Sequence, residues 1–407
     1  MKNDLVKKIT VSNFFSIAGL PGLLLIAYPV MLALVSRQRE FDEVASIDSS
    51  AVIQIVFASI AFASAFYIFL KNKLHRDILF KTPLKWFVIY VLWAAISSFW
   101  SVQLSLTAYR AFENIAYLLL ITAVMSRLYR KIGINGMIDW VMKYAVFTII
   151  VNIFRRIIQF DMSLFSLGTL IAEQMNSTPY FFLALLLPVG WLIKAVILPI
   201  SIFSTSNTAY AGMASGLLAF GKGNVWLRSF FVVIVTTTAV LIYTIGPESI
   251  LQQTIFYGKE GVGLEYTTGR VNMFERTYEE AMKKPFFGYG FVAGDTFVIN
   301  KAFNAAIGVH NGVLSAFLGT GLIGTLLFVI FLFRMFWVSK SNVIPDTLRG
   351  AFFSTTILII VHTMGNPGLG TRVYGTWIPA VLIFSMISLF YLHYTNRSSD
   401  ENNLGYT

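Results

Sequence analysis

The residues of this 407-residue chain that could do chemistry are few, and most are arginines at the ends of apolar stretches. Arg110 lies in SLTAYRAFEN, Arg155 and Arg156 close a hydrophobic run, Arg270 follows Thr-Thr-Gly, and Arg372 sits in the turn GNPGLGTRVYG. His310 and Asn311, in VHNG, precede another apolar run, and His362 lies near the end of the next. A cation at such a depth is costly unless it is paired or used. Forked guanidinium donors suit a phosphate or diphosphate, and a neutral imidazole with a pKa near 6.5 can take a proton from a hydroxyl at ambient pH. The chemistry these types imply is an anionic ligand held by several arginines beside a hydroxyl activated by His310.

Each residue also has a plainer role. Arg110 could pair with Glu113 or Glu173, and Arg276 with Glu279 or Glu280 one helical turn on. Asn311 could simply cap a helix, with His310 a bystander and His362 a packing residue or substrate contact. The loop aromatics, Tyr289 among them, could pack on sugars or acyl chains or only anchor the loop at an interface. His75 and His393 fall at the opposite side and have no expected role. There is no cysteine, hence no disulfide, thiolate metal site or Cys nucleophile. No acidic pair sits beside a histidine as a metal site would need, and no P-loop or dinucleotide fingerprint occurs. No metal and no cofactor are expected, so the substrate must arrive already activated.

The elements that hold these residues are membrane helices. The chain is 56% hydrophobic and 13% charged, with a mean hydropathy of +0.70, the profile of an all-α polytopic membrane protein. Apolar windows long enough to cross about 30 Å of hydrocarbon fall at about 13–35, 51–70, 85–101, 109–126, 138–154, 178–193, 195–205, 209–221, 230–246, 311–336, 350–365 and 376–394. This predicts about twelve spans, of which the seventh and eighth are short, with Pro199 and Gly212 placed to kink them. The first is read as a retained helix, being too long for a signal segment. Lys and Arg collect on the cytoplasmic side. With both termini inside, that side takes Lys2, Lys7, Lys8, the Lys71-to-Lys85 cluster, Arg127, Arg130 and Lys131, among others, which leaves Arg110, Arg155, Arg156, Arg270, Arg276 and Arg372 outside. The pI of 9.6 therefore reports orientation, and nucleic-acid binding is not implied.

Residues 1–246 then hold spans one to nine, 247–309 form a large outer loop, and 310–407 hold spans ten to twelve and a cytoplasmic tail, all in one integrated domain. Inside the loop, Val271, Phe274, Tyr278, Ala281 and Met282 recur at helical spacing. They predict an amphipathic helix from Arg270 to Lys284 that Pro285 ends, with Gly288 and Gly290 in a tight turn after it. Arg270 would fall in that helix's first turn, where an anion could also meet free N–H groups.

The order WSVQLSLTAYRAFEN, STSNTAYAG, TTGRVNMFERTYEEAMKKPFFGYGF and VHNGVLSAFLGTGLIGTLLF resembles the O-antigen ligase and polymerase superfamily of bacterial envelope glycosyltransferases, especially its exopolysaccharide-polymerase-like branch, over about residues 97–336. The resemblance implies a GT-C-like membrane fold with a large periplasmic loop before about the tenth helix, in the bacterial inner membrane. It implies transfer of a glycan from undecaprenyl diphosphate to a hydroxyl, either on another lipid-linked repeat unit (a polymerase) or on lipid A–core (a ligase). By motif position it makes Arg270, and with it Arg110, diphosphate-binding and His310 the base; Arg155 or Arg156 could add a contact. Its implied partners are the lipid-linked donor, a glycan or lipid A–core acceptor, membrane lipids and a chain-length regulator protein. One departure is Ser206-Asn207, where many relatives carry Ser-Arg. A transporter of lipid-linked oligosaccharide is the alternative of another class; it predicts charges deep in the bundle and a two-fold repeat, and no repeat is visible.

Overall fold

A computed structural model describes residues 11–35, 49–159, 175–203, 207–220, 264–299, 309, 311–365, 368–373 and 375–404. All regular structure among them is helical. Helices α1 (Val11–Ile17) and α2 (Gly19–Val35) lead into α3 (Ser49–Lys71). Next come α4 (Lys73–Phe80), α5 (Leu84–Ile96) with a 3-10 turn over Ser97–Trp100, and the 56-residue α6 (Leu104–Gln159). After a 3-10 turn at Met175–Tyr180 follow α7 (Phe181–Leu186), α8 (Trp191–Phe203) and α9 (Asn207–Phe220). The loop contributes α10 (Leu264–Lys283) and a π-turn at Gly294–Ile299, and the chain closes with α11 (Gly312–Ser339), α12 (Asp346–Gly365) and α13 (Trp377–Leu404).

Among the described residues five helices are long and apolar enough to cross a membrane, or six if α4 and the α5 segment, bent by 81°, count as one. The shortfall from about twelve has identifiable causes. A straight α6 would be about 84 Å long, but Gly133 (φ 68°, ψ −172°) breaks it. Both halves then lie along α1 and α2: Arg127 Nε and Trp140 Nε1 donate to Ile17 O and Phe14 O of α1 at one end. At the other, Tyr28 packs on Tyr117 and Tyr144 donates to Leu25 O. So α6 is a hairpin that contains both expected spans, 109–126 and 138–154. The spans expected at 178–193 and 195–205 are drawn differently, because Pro188 forces Leu187 into extended backbone (φ −91°, ψ 154°). α8 and α9 are apolar but short, and 230–246 lies outside the described residues.

Pro199 lies within α8. Gly212 serves packing: a Cβ there would come 3.0 Å from Leu358 O, and one at Gly216 2.8 Å from Ser354 O, so the two glycines let α9 press against α12. The core gathers around α13, whose apolar window is 78% buried and which therefore lies inside the bundle. A second, small core of Ala281, Ile299, Val309 and Leu318 lies beneath the loop and is separate from that of the bundle.

Candidate functional site

The loop is joined to the bundle by backbone. α11 is broken at Gly321, whose φ of 67° and ψ of −170° suit only glycine. A broken helix leaves carbonyls and amides without their i±4 partners, and here the turn after α10 supplies them. Tyr289 N donates to Leu318 O (2.9 Å), Gly290 N to Gly319 O (2.8 Å), and Leu322 N to Pro285 O (2.7 Å), while Trp93 Nε1 takes Thr320 O (3.0 Å). The corner between α5 and α6 closes on the other side of the turn. Val102 N donates to Tyr289 O, Trp100 Nε1 to Phe287 O, Phe291 N to Ser97 Oγ, and Thr107 Oγ1 to Phe291 O. Gly288 (φ 68°) and Gly290 (φ 101°) take the left-handed backbone expected of them. Three stretches far apart in the sequence, around 97–107, 285–291 and 318–322, thus form one interlock.

Arg110 sits in the first turns of α6, largely buried, its Nη1 2.8 Å from Glu113 Oε2. The plainer pairing is present, but Arg110 Nε is buried without a hydrogen bond, so the guanidinium retains a donor. The turn carrying Arg372 is tied down by three side chains from different helices. Tyr28 OH donates to Val373 O (3.2 Å), Tyr90 OH to Gly370 O (2.6 Å) and Asn114 Nδ2 to Thr371 O (3.3 Å). Asn114 Nδ2 also donates to Arg110 O (2.9 Å), which brings the exposed Arg372 and Arg110 to one end of the bundle. The same turn touches the start of α11, where a Cβ on Gly312 would meet Leu369 O at 2.6 Å.

Asn311 caps α11, its Oδ1 accepting from Val313 N (3.0 Å) and Leu314 N (2.9 Å). His310 precedes it and lies outside the described residues. His362 is buried in the last turn of α12, next to Thr363, whose methyl also faces Gly312. Arg155 is half-buried near the C-terminal end of α6, and Arg156 lies beside it on the same helix, where a helix favours cations in any case. Tyr289 is part of the interlock, with Lys284 Nζ 4.7 Å from its ring centre.

Arg270 does not fall in the first turn of its helix, where the sequence leads one to expect it. α10 begins at Leu264, so Arg270 lies in its second turn, and the helix N-terminus does not reinforce an anion at that position. The helix ends at Lys283, as Pro285 predicts, and Glu280 is engaged by Lys283 at 2.5 Å. Among the described residues no three His, Asp or Glu side chains gather at metal-binding spacing.

Sequence reasoning missed Asp295. It opens the π-turn, its Oδ1 is enclosed without a hydrogen bond, and burial pushes its carboxyl up to about 7, against the opposing effects of Ser315 and Arg372. A lone Asp between two apolar runs, GYGFVAGDTFVI, was the available signal.

This is a multi-pass α-helical membrane protein in which the start of α6, with Arg110, is tied both to the turn of Arg372 and to the segment after α10. The family model described as O-Antigen ligase matches residues 192–329, from α8 into α11. The match covers roughly a third of the chain, including Arg270, Tyr289, Asp295, His310 and Asn311 but not Arg110, Arg155, Arg156, His362 or Arg372. It supports the O-antigen ligase and polymerase superfamily, whose members are glycosyltransferase-like enzymes. No curated protein matches the chain.

Proposed function

We propose that the protein transfers a glycan from undecaprenyl diphosphate to a sugar hydroxyl at the periplasmic face of the bacterial inner membrane, and that it acts as a repeat-unit polymerase. The observation that carries this reading is the tie made by Asn114, which joins the carbonyl of Arg110 to the turn of Arg372. Two arginines from distant segments are thereby held on neighbouring backbone, beside the loop that carries part of the family match. Arg270 and Arg110, with Arg372 and the pair at 155 and 156, hold the donor diphosphate and stabilise the charge that develops as the bond from the anomeric carbon to the diphosphate oxygen breaks. Diphosphate leaves readily, and no metal is invoked. His310 takes the proton of the acceptor hydroxyl as that oxygen attacks the anomeric carbon, a contribution of about 10²–10⁴ in rate.

Ligase activity toward lipid A–core is the second reading, favoured by the description of the matched family. The surface glycan of a deletion strain separates the two. One repeat unit left on lipid A–core means a polymerase, and bare core with polymer held on undecaprenyl lipid means a ligase. Complementation with Arg270→Ala or His310→Ala at normal protein level should fail; restoration of wild-type glycan by either variant would refute the mechanism.

A further inference from the structure

At the end of α5 away from the interlock, α4 forms a platform. Asn72 caps it, its Oδ1 accepting from Leu74 N (3.1 Å) while its Nδ2 donates to Ser126 Oγ of α6 (3.1 Å). His75 Nε2 lies 2.8 Å from Thr122 Oγ1 of the same helix. α4 is bent by 81° from the α5 segment, and the 13 residues of α5 carry the chain about 20 Å from this platform to the corner at Ser97–Trp100. Between α3, α5 and α6, with α4 as the floor, lies a cavity of about 210 Å³ walled by Phe, Leu, Val and Ile side chains alone, among them Phe66, Phe69, Phe80, Leu92 and Leu118. The rings of Phe62, Phe66 and Phe69 stack along one wall. The cavity opens sideways, because the apolar window of α3 is only 17% buried and Phe66, Phe80 and Leu92 are all exposed. Basic side chains surround its floor: Lys71, Lys73, Arg76, Lys81 and Lys85 are exposed. Among the described residues Lys81 alone of the five is in an ion pair, with Asp77 (3.1 Å). Lys73, Arg76 and Phe80 fall on one face of α4 at i, i+3 and i+7, so two cations follow the ring that lines the cavity.

We propose that the cavity and its basic rim bind one anionic phospholipid of the cytoplasmic leaflet, with an acyl chain among the phenylalanines and the phosphate on Lys73 and Arg76. A wall of hydrocarbon offers a polar group no partner, so the part that enters is a hydrocarbon chain. Apolar cavity and cations lie at the same end of the bundle, as a phospholipid's tail and anionic head require, and that end is the one where Lys and Arg collect. A polyprenyl tail matches this arrangement less well, because the diphosphate that heads it is assigned to the loop end, the length of α5 away. A lipid held here braces α3 against α4 and α5. The inference goes beyond the glycosyltransferase reading and does not rest on it.

The test uses delipidated full-length protein in detergent, titrated with dioleoylphosphatidylglycerol, dioleoylphosphatidylcholine or undecaprenyl diphosphate. Bound lipid is counted by native mass spectrometry, and the thermal transition is followed in parallel. One phosphatidylglycerol should bind and raise the transition, as a ligand selective for the folded state does, and phosphatidylcholine should bind roughly 10-fold or more weakly. The double variant Lys73→Gln/Arg76→Gln should lower phosphatidylglycerol affinity roughly 30-fold. Leu92→Trp, which fills the mouth of the cavity, should abolish the bound lipid. Lys340→Gln, at the exposed cation that follows α11, should change neither readout. Equal binding of phosphatidylcholine, or an equal loss in Lys340→Gln, marks unspecific lipid around the bundle and overturns the site. Displacement of phosphatidylglycerol by undecaprenyl diphosphate gives the cavity to the donor's tail and overturns it as well. If Leu92→Trp does not accumulate, the double charge variant decides. None of these readouts depends on glycan transfer, so this site and the glycosyltransferase reading can fail separately.

Discussion

Replacing Gly321 by alanine should detach the loop from the bundle while leaving the bundle folded. An Ala Cβ at this position would lie 2.2 Å from Phe286 O and 2.3 Å from Phe286 C, both backbone atoms of the interlocked turn, so the clash is not relieved by a rotamer change. The backbone conformation itself costs a non-glycine residue about 1–3 kcal/mol, and overpacking a close contact costs about 1–3 kcal/mol. A total of about 2–6 kcal/mol lowers the docked population by roughly 30-fold or more at about 1.4 kcal/mol per tenfold. Gly133→Ala is the matched control: Gly133 has nearly the same φ and ψ, but a Cβ there meets nothing within 4 Å. Trypsin added to the loop side of nanodisc-embedded protein should cleave after the exposed Lys283 faster in Gly321→Ala than in Gly133→Ala or wild type. Glycan synthesis should fall in Gly321→Ala alone. Equal cleavage rates in the two variants, or wild-type glycan from Gly321→Ala, would refute the interlock as the attachment of the loop.

Glu113→Gln leaves the largely buried Arg110 without its counter-ion, and breaking such a pair costs about 3–5 kcal/mol; the thermal transition should drop clearly. If Arg110 serves the diphosphate, donor affinity should be retained or rise in the folded fraction. Asn311→Ala removes the cap of α11 and should cost about 1 kcal/mol, read as a lower melting temperature, while Asn311→Asp should keep most of it. The raised carboxyl of Asp295 binds its proton more tightly folded than unfolded. Wild-type stability from this group therefore falls as pH rises from about 4 to about 7 and is level above. Asp295→Asn should lack that fall, and parallel pH–stability curves for the two proteins would refute the assignment.

The sequence made most of the bundle legible because hydropathy alone locates long apolar helices: the windows at 51–70, 311–336, 350–365 and 376–394 correspond to α3, α11, α12 and α13. Pro188 interrupts the apolar run at 178–193 and puts Leu187 in extended backbone, which hydropathy alone does not register. The break at Gly321 was not legible, since LGTGLIGTLLF reads as unbroken membrane helix. It persists because Pro285, Tyr289 and Gly290 satisfy the freed backbone groups, and those contacts are set by tertiary structure. Arg110 and its neighbour Glu113 could be paired by spacing alone, but its tie to Arg372 runs through Asn114, some 257 residues from Thr371 in sequence. Asp295 escaped notice because its enclosure comes from docking, and one acidic residue without periodic context carries little signal.

The interlock also limits how the protein can be recombined. A loop that merely linked two helices could be exchanged between homologues as a cassette, with donor specificity left to the host. Here residues 285–291 complete the hydrogen bonds of α11 and of the corner at 97–107, so a graft of the loop alone would leave both with unsatisfied partners. A chimera that moves 264–322 together with 93–107 carries both sides of the joint, so that specificity and fold travel together.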